Sequence, residues 1–219
     1  MTAPEVKFGI LAPVVAKPGQ EAALAEFLNV GYDLSLNEPD TVQWFAIKYT
    51  DGGAAAPGAP TTFAIFDTFV TPAGRAAHLG GPIAAALMAN APVLLDGAPQ
   101  IGEVEILASI VRPTGAGRTV GLSVGQRVLF EAKEGKVDTV KEFLASARPL
   151  VLDEPGTLGW YAIWYPGTNK FGIVDFFASE QGRDAHLNGK VAEALFGSVG
   201  ELITSLPEIV KVDVLAAKA

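Results

Sequence analysis

The stretch Asn37-Glu38-Pro39-Asp40-Thr41-Val42-Gln43-Trp44-Phe45-Ala46-Ile47-Lys48-Tyr49 returns 116 residues later as Asp153-Glu154-Pro155-Gly156-Thr157-Leu158-Gly159-Trp160-Tyr161-Ala162-Ile163-Trp164-Tyr165. The same offset pairs Lys17 and Gly19 with Lys133 and Gly135, and Glu26-Phe27-Leu28 with Glu142-Phe143-Leu144. Further on the offset falls to 108, where Phe63-Ala64-Ile65-Phe66-Asp67-Thr68-Phe69 matches Phe171-Gly172-Ile173-Val174-Asp175-Phe176-Phe177. Gly74-Arg75-Ala76-Ala77-His78-Leu79 then matches Gly182-Arg183-Asp184-Ala185-His186-Leu187. The change of offset places an eight-residue insertion at Asp51–Pro60, where the second copy has only Gly167-Thr168-Asn169-Lys170. The chain's two His fall at one equivalent position, so the sequence is a duplicated unit.

Composition narrows the chemistry. The 219 residues include no Cys, which excludes disulfides, thiolate metal sites, iron–sulfur clusters and a thiol nucleophile. Two His are too few for most His-rich metal sites, and no metal is expected. A net charge of −8, with no basic run, argues against nucleic acid as a partner. Hydrophobic residues make up 49% and charged residues 18%, enough apolar surface for a filled core. Met1–Lys7 lacks the basic and apolar regions of a signal peptide, and no long uninterrupted apolar run marks a membrane span. The expectation is a cytoplasmic protein without a membrane partner.

Each copy has the order strand, helix, strand, strand, helix, strand. The first strands are Val6–Val15 and Ser123–Ala132, and the first helices Gln20–Leu36 and Lys136–Leu152. Leu24, Phe27 and Leu28 share one helical face, as do Val140, Phe143 and Leu144. The Glu-Pro pairs end these helices, because a residue before Pro is pushed out of the helical region. The next two strands form a hairpin around the insertion, whose Gly, Ala and Pro content predicts a mobile loop. Thr71-Pro72 and Ser179-Glu180 are helix starts with a hydroxyl cap. Gly80-Gly81-Pro82 and Asn188-Gly189 interrupt the second helices. The last strands are Gln100–Val111 and Glu208–Ala216. The fold class is α+β: two ferredoxin-like βαββαβ repeats, residues 1–112 and 121–219, joined by a linker at 113–120. Each sheet has helices on one face and an apolar back. Two repeats can cover each other's backs, giving a closed barrel with a cavity between the sheets.

The Glu-Pro-(Asp/Gly)-Thr turn, the strand Trp-(Phe/Tyr)-Ala-Ile, the strand Phe-x-Ile-x-Asp-x-Phe and the following Arg-x-Ala-His-Leu carry a family resemblance. Each half resembles the antibiotic biosynthesis monooxygenase domain of the dimeric α/β-barrel superfamily, and the chain resembles a fused pseudo-dimer. The resemblance implies a cofactor-independent monooxygenase acting on a hydrophobic aromatic or quinol-like molecule, with dioxygen as co-substrate. A non-catalytic small-molecule-binding barrel is the alternative. A homodimer of the fused barrel is a further expectation. Haem breakdown fits less well: the first strands offer no Asn, and the third strands carry Phe66, Phe69, Phe176 and Phe177 instead of Trp. A purely structural protein would have its cavity filled with side chains.

The candidate catalytic residues are His78 and His186, able to act as base or hydrogen-bond partner, or else as structural caps at a helix C-terminus. Arg75 and Arg183 lie three residues earlier on the same helical face. They either hold a substrate anion or pair with Asp67 and Asp175, the sequence favouring the pair. The two Asp interrupt apolar strands and must be paired or poised as bases. Trp44 and Trp160, with Trp164 where the first copy has Lys48, are aromatic walls for a substrate or core packing; periodicity cannot say which face they occupy. Two apparent motifs are set aside. Gly121-Leu122-Ser123-Val124-Gly125 lacks the strand–Ser–helix order of a nucleophile elbow. Gly115-Ala116-Gly117 opens no helix and lacks a third Gly.

Overall fold

The computed structural model describes residues 5–51, 59–112, 115 and 117–219. Most of the insertion, 52–58, and Pro113, Thr114 and Ala116 of the linker lie outside the described residues. The first half contains β1 (Phe8–Val15), α1 (Glu21–Ser35), β2 (Thr41–Tyr49), β3 (Thr62–Phe69), α2 (Pro72–Leu79), α3 (Pro82–Leu94) and β4 (Gly102–Val111). The second contains β5 (Val124–Glu131), α4 (Val137–Ser146), α5 (Arg148–Leu152), β6 (Thr157–Trp164), β7 (Lys170–Phe177), α6 (Glu180–Leu187), α7 (Lys190–Gly197) and β8 (Glu208–Lys218). This is the expected order, with one difference. The helix anticipated over Lys136–Leu152 is divided at Ala147, because Pro149 at the start of α5 has no N–H to continue the ladder.

The eight strands close into one antiparallel barrel in the order β1-β3-β2-β8-β5-β7-β6-β4. Closure is reciprocal. β4 of the first half pairs with β6 of the second, and β8 of the second pairs with β2 of the first. The stretch Pro72–Leu94 is long and apolar enough, by length and composition alone, to cross a membrane. Here it is two helices, α2 and α3, with Pro82 opening the second.

Alternation along each strand divides the side chains between the barrel interior and the helices. Phe45, Ile47, Phe66, Tyr161, Ile163, Val174 and Phe176 point inward and form one core shared by both halves. Phe45 stacks on Phe176 at 4.2 Å between centroids and lies 5.9 Å from Tyr161, edge to face. Phe176 replaces Thr68 of the first half, and a Cβ added to Gly159 would come within 3.1 Å of its ring. Gln43 and Thr68, at the corresponding positions of the first half, instead hydrogen-bond each other.

The space between the sheets, where a cavity is expected, is lined by aromatic side chains of both halves. Aromatic rings from four strands, Phe45, Phe66, Tyr161 and Phe176, meet there with neighbouring centroids 4.2–6.0 Å apart. Two further cores lie on the outside, under α1 and α3 and under α4, α5 and α7. The central core contains residues of both halves, so neither sheet is covered without the other. Replacing Phe45 by Ala is expected to cost about 3–5 kcal/mol and to unfold both halves in one transition, measured by denaturant titration.

Candidate functional site

The two His occupy equivalent clusters, one in each half. Thr71 caps α2 by accepting from the N–H of Gly74 at 3.0 Å, and Ser179 caps α6 by accepting from Gly182 at 3.3 Å. These short helices hold His78 and His186 in their last turns, over the aspartate of the preceding strand. The Glu-Pro turn that ends the first helix of each half brings a second carboxylate to the other side of the ring. His78 Nδ1 lies 2.6 Å from Glu38 Oε2, and its Nε2 lies 3.3 Å from Asp67 Oδ2. His186 Nδ1 lies 2.5 Å from Glu154 Oε2, and its Nε2 lies 3.4 Å from Asp175 Oδ2. Thr41 and Thr157 donate to the same glutamates at 2.9 and 3.2 Å.

This geometry sets the charge of the ring. A carboxylate faces each nitrogen, so both nitrogens donate and each ring is an imidazolium. Burial alone would lower the pKa of His78, but the hydrogen bonds and charges of Asp67 and Glu38 outweigh it and raise it to about 9. At His186 the opposing terms are burial and the carboxylates of Asp175 and Glu154, and the balance reaches about 10. A ring that already holds both protons accepts no third, so neither His is a free base at neutral pH. The clusters are not metal sites in this arrangement either, since the carboxylates lie on opposite ring edges and do not converge on one point.

The halves differ at the aspartate. Gln126 on β5 donates to Asp175 Oδ2 at 2.8 Å, whereas Ile10 stands at the equivalent position of β1. Burial pushes the Asp67 carboxyl up, against the lowering effect of His78. Asp67 Oδ1 and Asp175 Oδ1 are buried with no partner among the described residues.

The other predicted site residues fall outside this cluster or beside it. The expected Arg–Asp pairs do not form, because His78 and His186 occupy the aspartates. Arg75 bonds Glu103 at 2.6 Å and stacks over Phe8, while Arg183 reaches Glu180 at 3.5 Å. Trp44 and Trp160 face the helices, each directly across from its cluster aspartate in the sheet register. Both are fully buried, and both indole N–H groups lack an acceptor among the described residues. Trp164 lies further along, its N–H given to the Thr168 carbonyl at 2.9 Å and its face covered by Lys141 Nζ at 3.4 Å.

The space over the two Trp is not equivalent. In the first half α1 is continuous, and Gly31 allows it to close on Trp44: a Cβ there would lie 3.2 Å from the indole. In the second half Ala147 stands at that position and the helix breaks. A cavity of about 40 Å³ remains there, lined by Phe143, Ala147, Leu150, Trp160, Val191 and Leu195 among others. That volume is the size of a few waters, so an aromatic ligand requires α5 or α7 to move outward.

Glu38 and Glu154 are the site residues the sequence reading missed. Their signal was present: Glu-Pro-x-Thr is duplicated as faithfully as the His. The Pro accounts for the pair as a helix stop, and the 40-residue separation of Glu38 from His78 hides the contact from local sequence patterns.

No family model matches the chain, and no curated protein matches it. Solved structures do. A "putative monooxygenase" from Fusobacterium nucleatum aligns over 100% of this chain and 95% of its own, with 14% identity and a TM-score of 0.82. A second "putative monooxygenase", from Lactobacillus acidophilus, aligns over 98% and 97%, with 10% identity and a TM-score of 0.76. An "anthrone oxidase-like protein" aligns over 100% and 95%, with 10% identity and a TM-score of 0.62. At such identities the likeness establishes the fold.

The raised His pKa values give stability a pH dependence. A His with a folded-state value above its unfolded value stabilises fully below about pH 6.5 and loses that contribution as pH rises through the folded value. The stability supplied by the two rings is therefore expected to decline from about pH 6.5 and to vanish beyond pH 9–10. His78→Gln/His186→Gln is expected to be less stable at pH 7 by several kcal/mol, because it leaves buried carboxylates without a counter-charge. The stability difference between wild type and variant, measured by urea unfolding at pH 7 and pH 10, should shrink markedly at the higher pH.

Proposed function

Because the chain folds as a tandem dimeric α/β barrel of the antibiotic biosynthesis monooxygenase type, we propose that it is a monooxygenase-like protein acting without a resident cofactor on a hydrophobic aromatic or quinol-type molecule, at the pocket over Trp160. The observation that carries the reading is a pocket in the second half lined by Trp160, whose indole N–H lacks an acceptor among the described residues, with Asp175, whose Oδ1 also lacks one, across from Trp160 in the sheet register. A phenolic or quinol hydroxyl is the complement of that pair, since it can accept from Trp160 and donate to Asp175. Proton transfer to Asp175 would leave an electron-rich anion, which reacts with dioxygen more readily than the neutral molecule.

His186 is then a positioning residue. Its imidazolium, anchored by Glu154, holds the Asp175 carboxylate in place. This replaces the role of base by that of hydrogen-bond partner, one of the two roles its sequence position suggests. Trp160 is the wall against which the ring stacks. In the first half, Trp44, Asp67 and His78 repeat the constellation under a closed helix, and serve as scaffold.

The second reading is a binding protein without turnover. It is favoured by the same protonated His, because no neutral imidazole is present to take a proton. The two are separated by oxygen uptake with a panel of model hydroquinones. Turnover that falls by about 10²-fold or more in Asp175→Asn, with Asp67→Asn near wild type, is the expected result. Ligand-induced thermal stabilisation without oxygen uptake across the panel would establish the binding reading instead.

A further inference from the structure

Arg127 is buried inside the barrel, on the face of the sheet opposite the His clusters. Its neighbours Gln126 and Val128 point to the helices, so alternation along β5 directs Arg127 inward. It is only 6% exposed. Among the described residues one ion pair meets its charge: Nη2 donates to Glu208 Oε1 at 2.8 Å, and the Glu208 side chain is itself 64% exposed. Nε is buried with no acceptor among the described residues. The Tyr49 ring lies under the guanidinium, 5.4 Å from Cζ, and its buried hydroxyl also lacks a partner.

The chain direction places these groups at one end of the barrel. Tyr49 ends β2 and Tyr165 follows β6, while Glu208 opens β8 and Gly102 opens β4. The antiparallel order brings all four ends to the same mouth. Gly102 leaves room for the Tyr165 ring, which would lie 2.9 Å from a Cβ there. Burial is the main cause that pushes Tyr165 up to about 12, with Tyr49 adding to it and Arg127 opposing it, so the three side chains sense one another. Both phenols stay protonated at neutral pH and are available as donors.

The mouth therefore presents donors around a buried positive charge, and the carboxylate paired with it, Glu208, is an exposed side chain. An orphan guanidinium N–H in a buried site is costly unless something accepts from it. The Nε and Nη2 edge of a guanidinium fits the two oxygens of a carboxylate, and Glu208 uses only one side of that edge. The feature is not inherited from the duplication: Leu11 stands at the equivalent position of the first half.

We propose that Arg127, Tyr49 and Tyr165 form a binding site for a small organic carboxylate at the barrel mouth, distinct from the pocket over Trp160, and that the Glu208 carboxylate fills part of it until the ligand displaces it. The test is calorimetric titration of the full chain with benzoate, using methyl benzoate as the uncharged control. Benzoate is expected to bind at one site per chain, and the ester at least about tenfold more weakly. Arg127→Leu, which installs the residue that the first half carries at this position, should abolish benzoate binding while retaining a cooperative thermal transition. Glu208→Gln should tighten binding several-fold by removing the internal competitor. Ala194→Leu, which fills the pocket over Trp160, should leave benzoate affinity unchanged. Benzoate binding that survives Arg127→Leu, that weakens in Glu208→Gln, that disappears in Ala194→Leu, or that is absent from both wild type and Glu208→Gln would overturn the assignment.

Discussion

Everything in this molecule depends on two half-sheets having to cover each other. A four-stranded sheet with helices on one face leaves an apolar back, and water exposure of that back is unfavourable at about 25 cal/mol per Å². The chain solves this within itself by exchanging edge strands: β4 joins the second half's sheet and β8 the first's. Barrel closure also removes the free edges that would otherwise template aggregation. The consequence for function is spatial. The interior becomes an aromatic core around Phe45, Phe66, Tyr161 and Phe176, shared by both halves, and the helices cover the outer faces.

The Glu–His–Asp clusters tie those outer faces to the barrel. Each joins three segments that are distant in sequence: the turn after the first helix, the third strand and the short helix behind it. A buried imidazolium between two carboxylates carries a net negative charge, offset locally by Thr hydroxyl donors and, in the second half, by Gln126. Such clusters specify geometry more than they add stability, because the desolvation of three ionised groups opposes their attraction. Each cluster fixes its aspartate across the sheet from a buried tryptophan, Asp67 from Trp44 and Asp175 from Trp160.

Much of the fold was legible in the sequence because its signals are local or duplicated. The hydroxyl caps at Thr71 and Ser179, the helix break at Gly80-Gly81-Pro82 and the strand order of each half follow from chain chemistry over a few residues. The repeat then implied mutual coverage of the two sheets. The face occupied by Trp44 and Trp160 was not legible, since both faces of every strand are apolar in a barrel that is covered inside and out. The charge state of the His was not legible either. It depends on Glu38 and Glu154, whose Pro neighbours offered a sufficient backbone reason for the Glu-Pro pair. Pro149 was visible as a helix breaker, but its effect on the space over Trp160 required the packing of three helices on a sheet.

The two halves can be compared position by position, and the comparison separates scaffold from specialisation. What is shared, the caps, the His clusters and the strand order, is what any copy needs to fold onto the barrel. What differs concentrates at two places. Gly31 against Ala147, with the break before Pro149, closes one outer pocket and leaves the other open. Leu11 against Arg127 gives one half an inward-facing charge that the other lacks. In a homodimer of single repeats each such change would appear twice, on both sides of the two-fold axis. Two Arg at one barrel mouth would then repel each other inside an apolar core. Fusion of the copies removes that constraint, because a single chain can carry one Arg opposite one Leu. Covalent duplication thus permits asymmetric polar groups near the barrel axis that a symmetric dimer could accommodate only at a high electrostatic cost.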